Sequence, residues 1–129
     1  AEQAYVSLVD LANLVRDCYL KTREVWILPK VTEYYMTLAE MAKTEEEIIA
    51  HLHNSAALYG EWILADESER VRMKYSDVLL KLGIFSEQRE PIAKAREILA
   101  ELRKKAPLDI DLTKRIIACD KAMKKWGKS

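Results

Sequence analysis

The chain has 129 residues, half of them hydrophobic and a third charged, with only three glycines and three prolines. This length suits one domain with its own core, and the composition excludes a disordered chain, a collagen-like chain and a disulfide scaffold. The 21 Lys and Arg balance the 21 Asp and Glu, so the net charge of zero excludes a strongly basic or acidic protein.

The charge is unevenly distributed along the chain. Residues 1–44 carry a net charge of −1, residues 45–69 carry −7 and residues 70–129 carry +8. Such asymmetry is typical of a partner surface, or of two faces that match each other inside the fold.

Helical periodicity begins close to the first residue. Apolar residues there repeat at intervals of three and four and stack on one helical face: Tyr5, Leu8, Ala12, Val15 and Tyr19. Further apolar residues between Val6 and Cys18 widen this face, as in a central helix or one covered by a partner. The pattern continues to Leu28 and meets Pro29, where we expect a break.

The second predicted helix runs from Val31 to Ala42, and the next begins directly after it. Thr44 and Glu47 have the spacing of a capping box, in which the Thr44 hydroxyl accepts a helical amide and the Glu47 side chain reaches back. The carboxylates of residues 45–47 also suit the positive end of the helix dipole. The pattern therefore predicts a third helix that begins after Thr44.

The sequence leaves the end of this third helix open. Its apolar row runs from Ile49 to Ile63, with Gly60 as a close-packing point or a kink. Asp66 and Glu69 repeat the capping pattern, with Asp66 as the cap. Residues 45–82 therefore form either one long helix or two.

Glycine and proline mark the ends of the next two helices. The fourth helix is predicted to end at Gly83, a favourable C-cap residue, and residues 84–90 to form a loop. Pro91 begins the fifth helix, which ends with the cations of residues 103–105 before Pro107.

The last helix, capped by Asp109 or Asp111 and ended by Gly127, has an apolar row at heptad a and d spacing. This row comprises Leu112, Ile116, Cys119, Met123 and Trp126. Five or six helices with short connections predict an all-α fold, either an antiparallel helical bundle or stacked helical hairpins, in a single domain over residues 1–129.

No run of eighteen apolar residues is present, so the sequence predicts no transmembrane helix. The apolar stretch from Leu11 to Val15 lacks the basic segment and cleavage site of a signal peptide. The chain begins Ala-Glu-Gln rather than Met, which indicates a processed chain or a fragment of a longer one. Cys18 and Cys119 have no metal or redox spacing and are interpreted as core residues. We take a cytoplasmic location as the default.

Sites for metal or catalysis find no support in the sequence. His51 and His53 lie two residues apart, about 200° around a helix, and so cannot hold one metal ion from the same face. Glu47 with His51 lacks the Glu-x-x-His partner of a di-iron site. No phosphate-binding loop, nucleophile elbow or Cys–His pair is present. We therefore predict no metal, no cofactor and no enzymatic activity.

The segment from His51 to Gly60 resembles the phosphorylatable helix of histidine phosphotransfer domains, which are helical bundles of similar size. Asn54 and Ser55 stand where that family has Lys and Gly after its histidine. The resemblance implies phosphoryl transfer through His51 or His53, which is our third hypothesis of function.

The fourth and fifth helices resemble one tetratricopeptide unit. The residues that carry this resemblance are Leu79, Leu82, Gly83, Ala95, Leu99 and Pro107. Ser86 stands where the family has an aromatic residue, and no second copy follows one repeat length away. The resemblance implies a peptide-binding surface.

Our leading hypothesis is a protein–protein interaction module with an adaptor, assembly or regulatory role, which binds another protein or a second copy of itself. It depends on the apolar excess of the first helix and on the heptad row of the last. The residues expected to bind the partner are Leu112, Ile116, Met123 and Trp126.

The alternative is binding of nucleic acid or another anionic surface by the basic C-terminal helices. The residues expected to carry it are Arg103, Lys104, Lys105, Lys114, Arg115, Lys121, Lys124 and Lys125, with Lys128 beyond them. A solvated lysine face opposite the heptad row explains the same residues without a ligand.

Overall fold

The structure is a computed structural model that describes residues 2–126. Its elements are α1 (Glu2–Thr22), a 3-10 turn (Val25–Ile27), α2 (Leu28–Met41), α3 (Glu45–Ala65), α4 (Glu69–Ser86), α5 (Arg89–Lys105) and α6 (Ile110–Trp126). Six α-helices, with no strand in the described part of the chain, confirm the predicted all-α fold. The predicted helix end at Gly127, and Lys128, lie outside the described residues.

The helices form two compact units, one ending at Asp66 and the other beginning at Glu67. In the first unit α2 packs against both α1 and α3, and in the second unit α5 packs against both α4 and α6. Five basic against eleven acidic residues give the first unit a charge of −6, and sixteen against ten give the second unit +6. The first unit is therefore acidic and the second basic. That residues 1–129 form a single domain stays a prediction.

The centre of the first unit is a stripe along α2. Leu28, Val31, Tyr35 and Leu38 are at most 1 % exposed. Their spacing of three and four residues places them on one side of the helix, toward the two helices that α2 contacts. Full burial stabilises a side chain of this size by about 1.5–3 kcal/mol, so this stripe is a major source of stability for the unit.

The prediction that the first helix reaches Leu28 is wrong, because α1 ends at Thr22. Arg23 adopts a left-handed φ of 57°, which takes the backbone out of the helix. The Thr22 hydroxyl then accepts the Glu24 amide at 3.3 Å and stabilises the exit. Pro29 lies in the first turn of α2, where an absent N–H leaves no helical hydrogen bond unmade.

Residues 45–82 form two helices rather than one. The predicted cap at Thr44 is confirmed, since its hydroxyl oxygen accepts the Glu47 amide at 3.2 Å and its hydroxyl donates to the Glu47 carboxylate at 2.9 Å. The predicted cap at Asp66 is wrong, because Ser68 accepts the third amide of α4 at 3.3 Å. Asp66 instead ends α3.

The predicted end of the fourth helix at Gly83 is also wrong. α4 continues to Ser86 and ends where Glu87 adopts a left-handed φ of 55°. The Gln88 amide closes this end by donating to the Gly83 carbonyl at 2.9 Å. Because α5 already begins at Arg89, most of the segment predicted as a loop is helical.

Gly83 is required for close packing rather than for a turn. A Cβ at this position would lie 2.9 Å from the backbone oxygen of Gln88 and would overlap the Ile92 side chain. Ile92 is itself fully buried on α5. The absence of a side chain at Gly83 therefore sets how closely α4 and α5 approach.

Candidate functional site

α1 carries a second apolar row that flanks its buried face. Ala12 and Tyr19 are buried, whereas Leu11 is 41 % exposed and Leu14 is 68 % exposed. Leu11, Leu14 and the exposed Cys18 are three and four residues apart, so they share one face. The apolar excess predicted for the first helix therefore lies partly on the surface.

This outer row borders an apolar groove between α1 and α2. The groove holds about 360 Å³, and Leu14, Cys18, Trp26 and Tyr34 contribute to its lining. Trp26 is 74 % exposed, and its indole N–H donates to the Glu24 carboxylate at 2.9 Å. Since the indole nitrogen already has a partner, the exposed part of the ring offers an apolar contact.

Charged residues of both signs neighbour the groove along the chain. The exposed charged residues within four positions of its lining are Asp10, Asp17, Glu24 and Glu33, together with Lys21 and Arg23. Lys30 is the charged residue of the lining itself, and Arg23 is paired with Glu61 at 3.0 Å. Apart from Lys30, the groove is lined by apolar and aromatic side chains and the Cys18 thiol.

A polar cluster lies within the first unit around His51, which is 8 % exposed. The Tyr5 oxygen lies 2.6 Å from His51 Nε2, and Tyr35 stacks on the imidazole with ring centroids 6.3 Å apart. The Tyr5 hydroxyl also interacts with the Glu47 carboxylate. Because Nδ1 of His51 is buried without a partner, we place the imidazole proton on Nε2, from which it donates to the Tyr5 oxygen.

This assignment makes His51 a neutral base. Its Nδ1 is buried without a hydrogen-bond partner, which is less costly for a bare lone pair than for an N–H donor. Burial lowers the pKa of His51 below its usual value of 6.5, and the charge of Glu47 opposes this only in part. The Thr44 hydroxyl and the Tyr5 hydroxyl lower the pKa of Glu47 below 4.5. The cluster thus ties the first helix to the start of the third.

The pKa of His51 predicts a pH dependence of stability. A depressed pKa in the folded state means that the unfolded state binds more protons below pH 6.5, so the free energy of unfolding falls as the pH drops through and below 6.5. We expect a slope of at most about 1.4 kcal/mol per pH unit, the limit for one proton. Urea unfolding between about pH 7.5 and pH 5.5 measures it, above the range in which Glu47 contributes.

Two matched variants test whether His51 is the residue that causes this pH dependence of stability. His51→Gln removes the buried base and is expected to flatten the pH dependence, whereas His53→Gln removes an exposed imidazole and should retain it. A slope that persists in His51→Gln and disappears in His53→Gln would contradict the assignment.

The two histidines differ in their exposure to solvent, and therefore in their access to a phosphodonor. His51 is buried behind Tyr5, out of reach of a phosphodonor, and His53 is exposed. The phosphotransfer hypothesis stays a prediction, and the residue open to it is His53. Among residues 2–126, no group of three or more His, Cys, Asp or Glu side chains is arranged to hold a metal ion.

The two cysteines differ in environment. Cys119 is fully buried, and burial raises the pKa of its thiol to about 11, in agreement with the prediction of a core residue. The same prediction for Cys18 is wrong, because Cys18 is exposed beside the groove. A thiol reagent therefore has selective access to Cys18 in the folded protein.

The heptad row of α6 faces inward over most of its length. Leu112 and Ile116 are 4 % and 7 % exposed, so these two predicted partner-binding residues pack inside the second unit. Met123 and Trp126 are half-buried.

Asp109 caps α6 by accepting the Leu112 amide at 3.2 Å, which decides between the two predicted caps, Asp109 and Asp111.

The predicted basic residues divide into paired and unpaired groups. Arg115 binds Asp77 of α4 and Asp111, and these carboxylates raise the pKa of its guanidinium. Lys104 donates to Glu101 at 3.0 Å, and Lys125 lies 5.0 Å from the Trp126 ring centroid. Of the predicted basic residues, those that are exposed with neither an ion pair nor a ring contact in the described part of the chain are Arg103, Lys105, Lys114, Lys121 and Lys124.

The helical hairpin that resembles a tetratricopeptide unit uses its characteristic residues internally. Those on α4 and α5 are all buried: Leu79, Leu82, Gly83, Ala95 and Leu99. They hold the two helices together and so are not themselves a peptide-binding surface.

The sequence pattern places Trp26 in the first helix and indicates no role for Ile110 and Ile117. A signal for the isoleucines exists, since both alternate with lysines at helical spacing. The contact between Tyr5 and His51 spans 46 residues and leaves no local signal.

Comparison with family models, with curated proteins and with solved structures finds no significant match to this chain. No helix among residues 2–126 is both long and apolar enough to span a membrane.

Proposed function

We propose that this chain is a non-enzymatic protein-interaction module and that the groove of the first unit binds a helix of a partner protein. The observation that carries this proposal is the exposure of Leu14 and Trp26, at 68 % and 74 %, beside an apolar groove. Each is a large apolar side chain that burial would stabilise, and aromatic residues of this kind often dominate binding energy.

The spacing of the outer row favours a helical partner. Leu11, Leu14 and Cys18 follow the a and d positions of a heptad, the spacing by which one helix packs against another. A partner helix laid along α1 can place its own apolar row over these residues and one large side chain beside Trp26. This is the helix-in-groove mode of recognition.

Charge favours a partner helix that is basic at its margins. The first unit carries −6, and four carboxylates neighbour the groove against Lys21, Lys30 and Arg23, of which Arg23 is already paired with Glu61. Lysine or arginine beside the partner's apolar row would approach Asp10 and Asp17, and an acidic helix would meet repulsion there. Charge of this kind sets specificity and association rate more than affinity.

Calorimetric titration with two synthetic helical peptides tests the proposal. Both peptides carry leucine at the a and d positions, and the flanking positions are lysine in one and glutamate in the other. We expect the basic peptide to bind in the micromolar range, about −8 kcal/mol, and the acidic peptide at least tenfold more weakly.

Matched leucine variants locate the binding site. Leu14→Asp is expected to abolish binding of the basic peptide, whereas Leu64→Asp alters a leucine of α3 that is 83 % exposed and outside the groove, and should leave binding unchanged. Equal binding of both peptides, or equal loss in both variants, would contradict the proposal. Sedimentation equilibrium of the protein alone shows whether the occupant is a second copy.

A further inference from the structure

The outer face of α6 combines exposed isoleucines with unpaired lysines. Ile110 is 69 % exposed and Ile117 is 47 % exposed. Residues that share this face at intervals of three and four are Ile110, Lys114, Ile117, Lys121 and Lys124. Leu108, in the turn before α6, is 92 % exposed and adds a third aliphatic side chain beside the start of the helix.

The positive charge of this face is not neutralised within the second unit. The nearby carboxylates have other partners: Asp109 caps the helix, Asp111 binds Arg115 and Asp120 binds Arg96 of α5. Lys114, Lys121 and Lys124 form no ion pair with any residue of the described chain. The face is therefore cationic in a unit whose net charge is +6.

We propose that the outer face of α6, together with Leu108, binds the surface of an anionic lipid bilayer. Exposed aliphatic side chains and lysines on the same face match the two parts of such a surface, the acyl boundary and the anionic head groups. The helix lies along the bilayer, with its isoleucines toward the acyl chains and its lysine stems extending so that the ammonium groups reach the head groups.

The aliphatic side chains favour lipid over nucleic acid. A phosphate backbone attracts the lysines equally well, but it offers nothing to Leu108, Ile110 and Ile117, and base stacking uses aromatic residues that this face lacks. Stable association with a bilayer needs an apolar contribution as well as basic charge. The aliphatic side chains supply the first contribution and the lysines supply the second.

Vesicle flotation with the full chain tests this proposal. Vesicles are either pure phosphatidylcholine or two-thirds phosphatidylcholine with one-third phosphatidylserine. We expect partitioning to the anionic vesicles at least tenfold above that to the neutral vesicles, and a decline as salt is raised from about 0.05 to 0.5 M. The fraction of protein that floats without vesicles is subtracted as background.

Single replacements separate the two contributions. Lys121→Gln is expected to weaken partitioning about fivefold, and Leu108→Ser at least fivefold. Lys81→Gln, on an exposed lysine of α4, and Leu64→Ser are the matched controls and should leave partitioning unchanged. All four positions are exposed, so far-UV circular dichroism is expected to show an intact fold.

Two outcomes overturn the proposal. Equal partitioning to neutral and anionic vesicles, or none to either, shows that the face does not bind anionic lipid. Binding of a short DNA duplex that Lys121→Gln weakens and Leu108→Ser does not, without vesicle binding, assigns the face to nucleic acid instead. Neither outcome bears on the groove of the first unit, which the peptide titration tests.

Discussion

Replacing Gly83 by valine is expected to lower the free energy of unfolding by about 3 kcal/mol, the upper end of the range for overpacking. The new side chain would begin with a Cβ 2.9 Å from the Gln88 carbonyl oxygen and would overlap Ile92. The carbonyl belongs to the short connection between α4 and α5 and cannot move without disturbing the start of α5. Urea unfolding followed by far-UV circular dichroism measures the loss.

Reducing the neighbour tests whether overlap is the cause. Ile92→Ala alone leaves a cavity and should cost about 2–5 kcal/mol, since Ile92 is fully buried. The cavity left by Ile92→Ala partly accommodates a side chain at Gly83. The double variant Gly83→Val with Ile92→Ala is therefore expected to be more stable than the sum of the two single losses implies. Simple additivity would contradict the packing role assigned to Gly83.

Replacing Leu38 by alanine is expected to destabilise the first unit by about 2–5 kcal/mol. Leu38 is fully buried in the α2 stripe, and its removal leaves a cavity in the helix that packs against both α1 and α3. The loss is read from the exchange of α2 and α3 amides under native conditions, because this measurement reports on the unit that contains them.

Leu64→Ala is the matched control for this prediction. The residue is a leucine of the same unit, but it is 83 % exposed, so its truncation should change stability by less than about 0.5 kcal/mol. Equal effects of the two replacements would contradict the assignment of α2 as the centre of the unit.

Features that depend on a few neighbouring residues were predictable from the sequence. The Thr44 cap needs only the Thr44 hydroxyl and the amide and carboxylate of Glu47, all within four residues. The next cap was misplaced because Asp66 and Ser68 are both suitable acceptors two residues apart. Only the direction of the backbone decides between them, and that depends on tertiary packing.

Gly83 shows a second limit of prediction from sequence. A glycine near the end of an apolar pattern is typical of a C-cap, and the same residue type serves where two helices approach closely. Ile92 lies nine residues further along the chain, so the pattern around Gly83 does not reveal the contact. The left-handed position is taken by Glu87, which sequence preference does not favour there.

The candidate site was predictable only in part, since periodicity identifies an apolar row but not what covers it. The rows of α1 and α6 both suggested a partner surface. In the structure the protein itself buries Leu112 and Ile116, whereas Leu14 stays exposed. The groove also needs Trp26 from the 3-10 turn, which exists because α1 ends at Thr22.

The most direct test of the interaction proposal maps the basic peptide by amide chemical shifts on the isotope-labelled full chain. A partner helix in the groove predicts perturbations concentrated on α1 from Leu11 to Cys18, at Trp26 and around Tyr34, with α6 unchanged. A fluorine label on the exposed Cys18 thiol reports the same event, because Cys119 is buried. Perturbations confined to other helices, or none at saturating peptide, would contradict the groove as the interaction site.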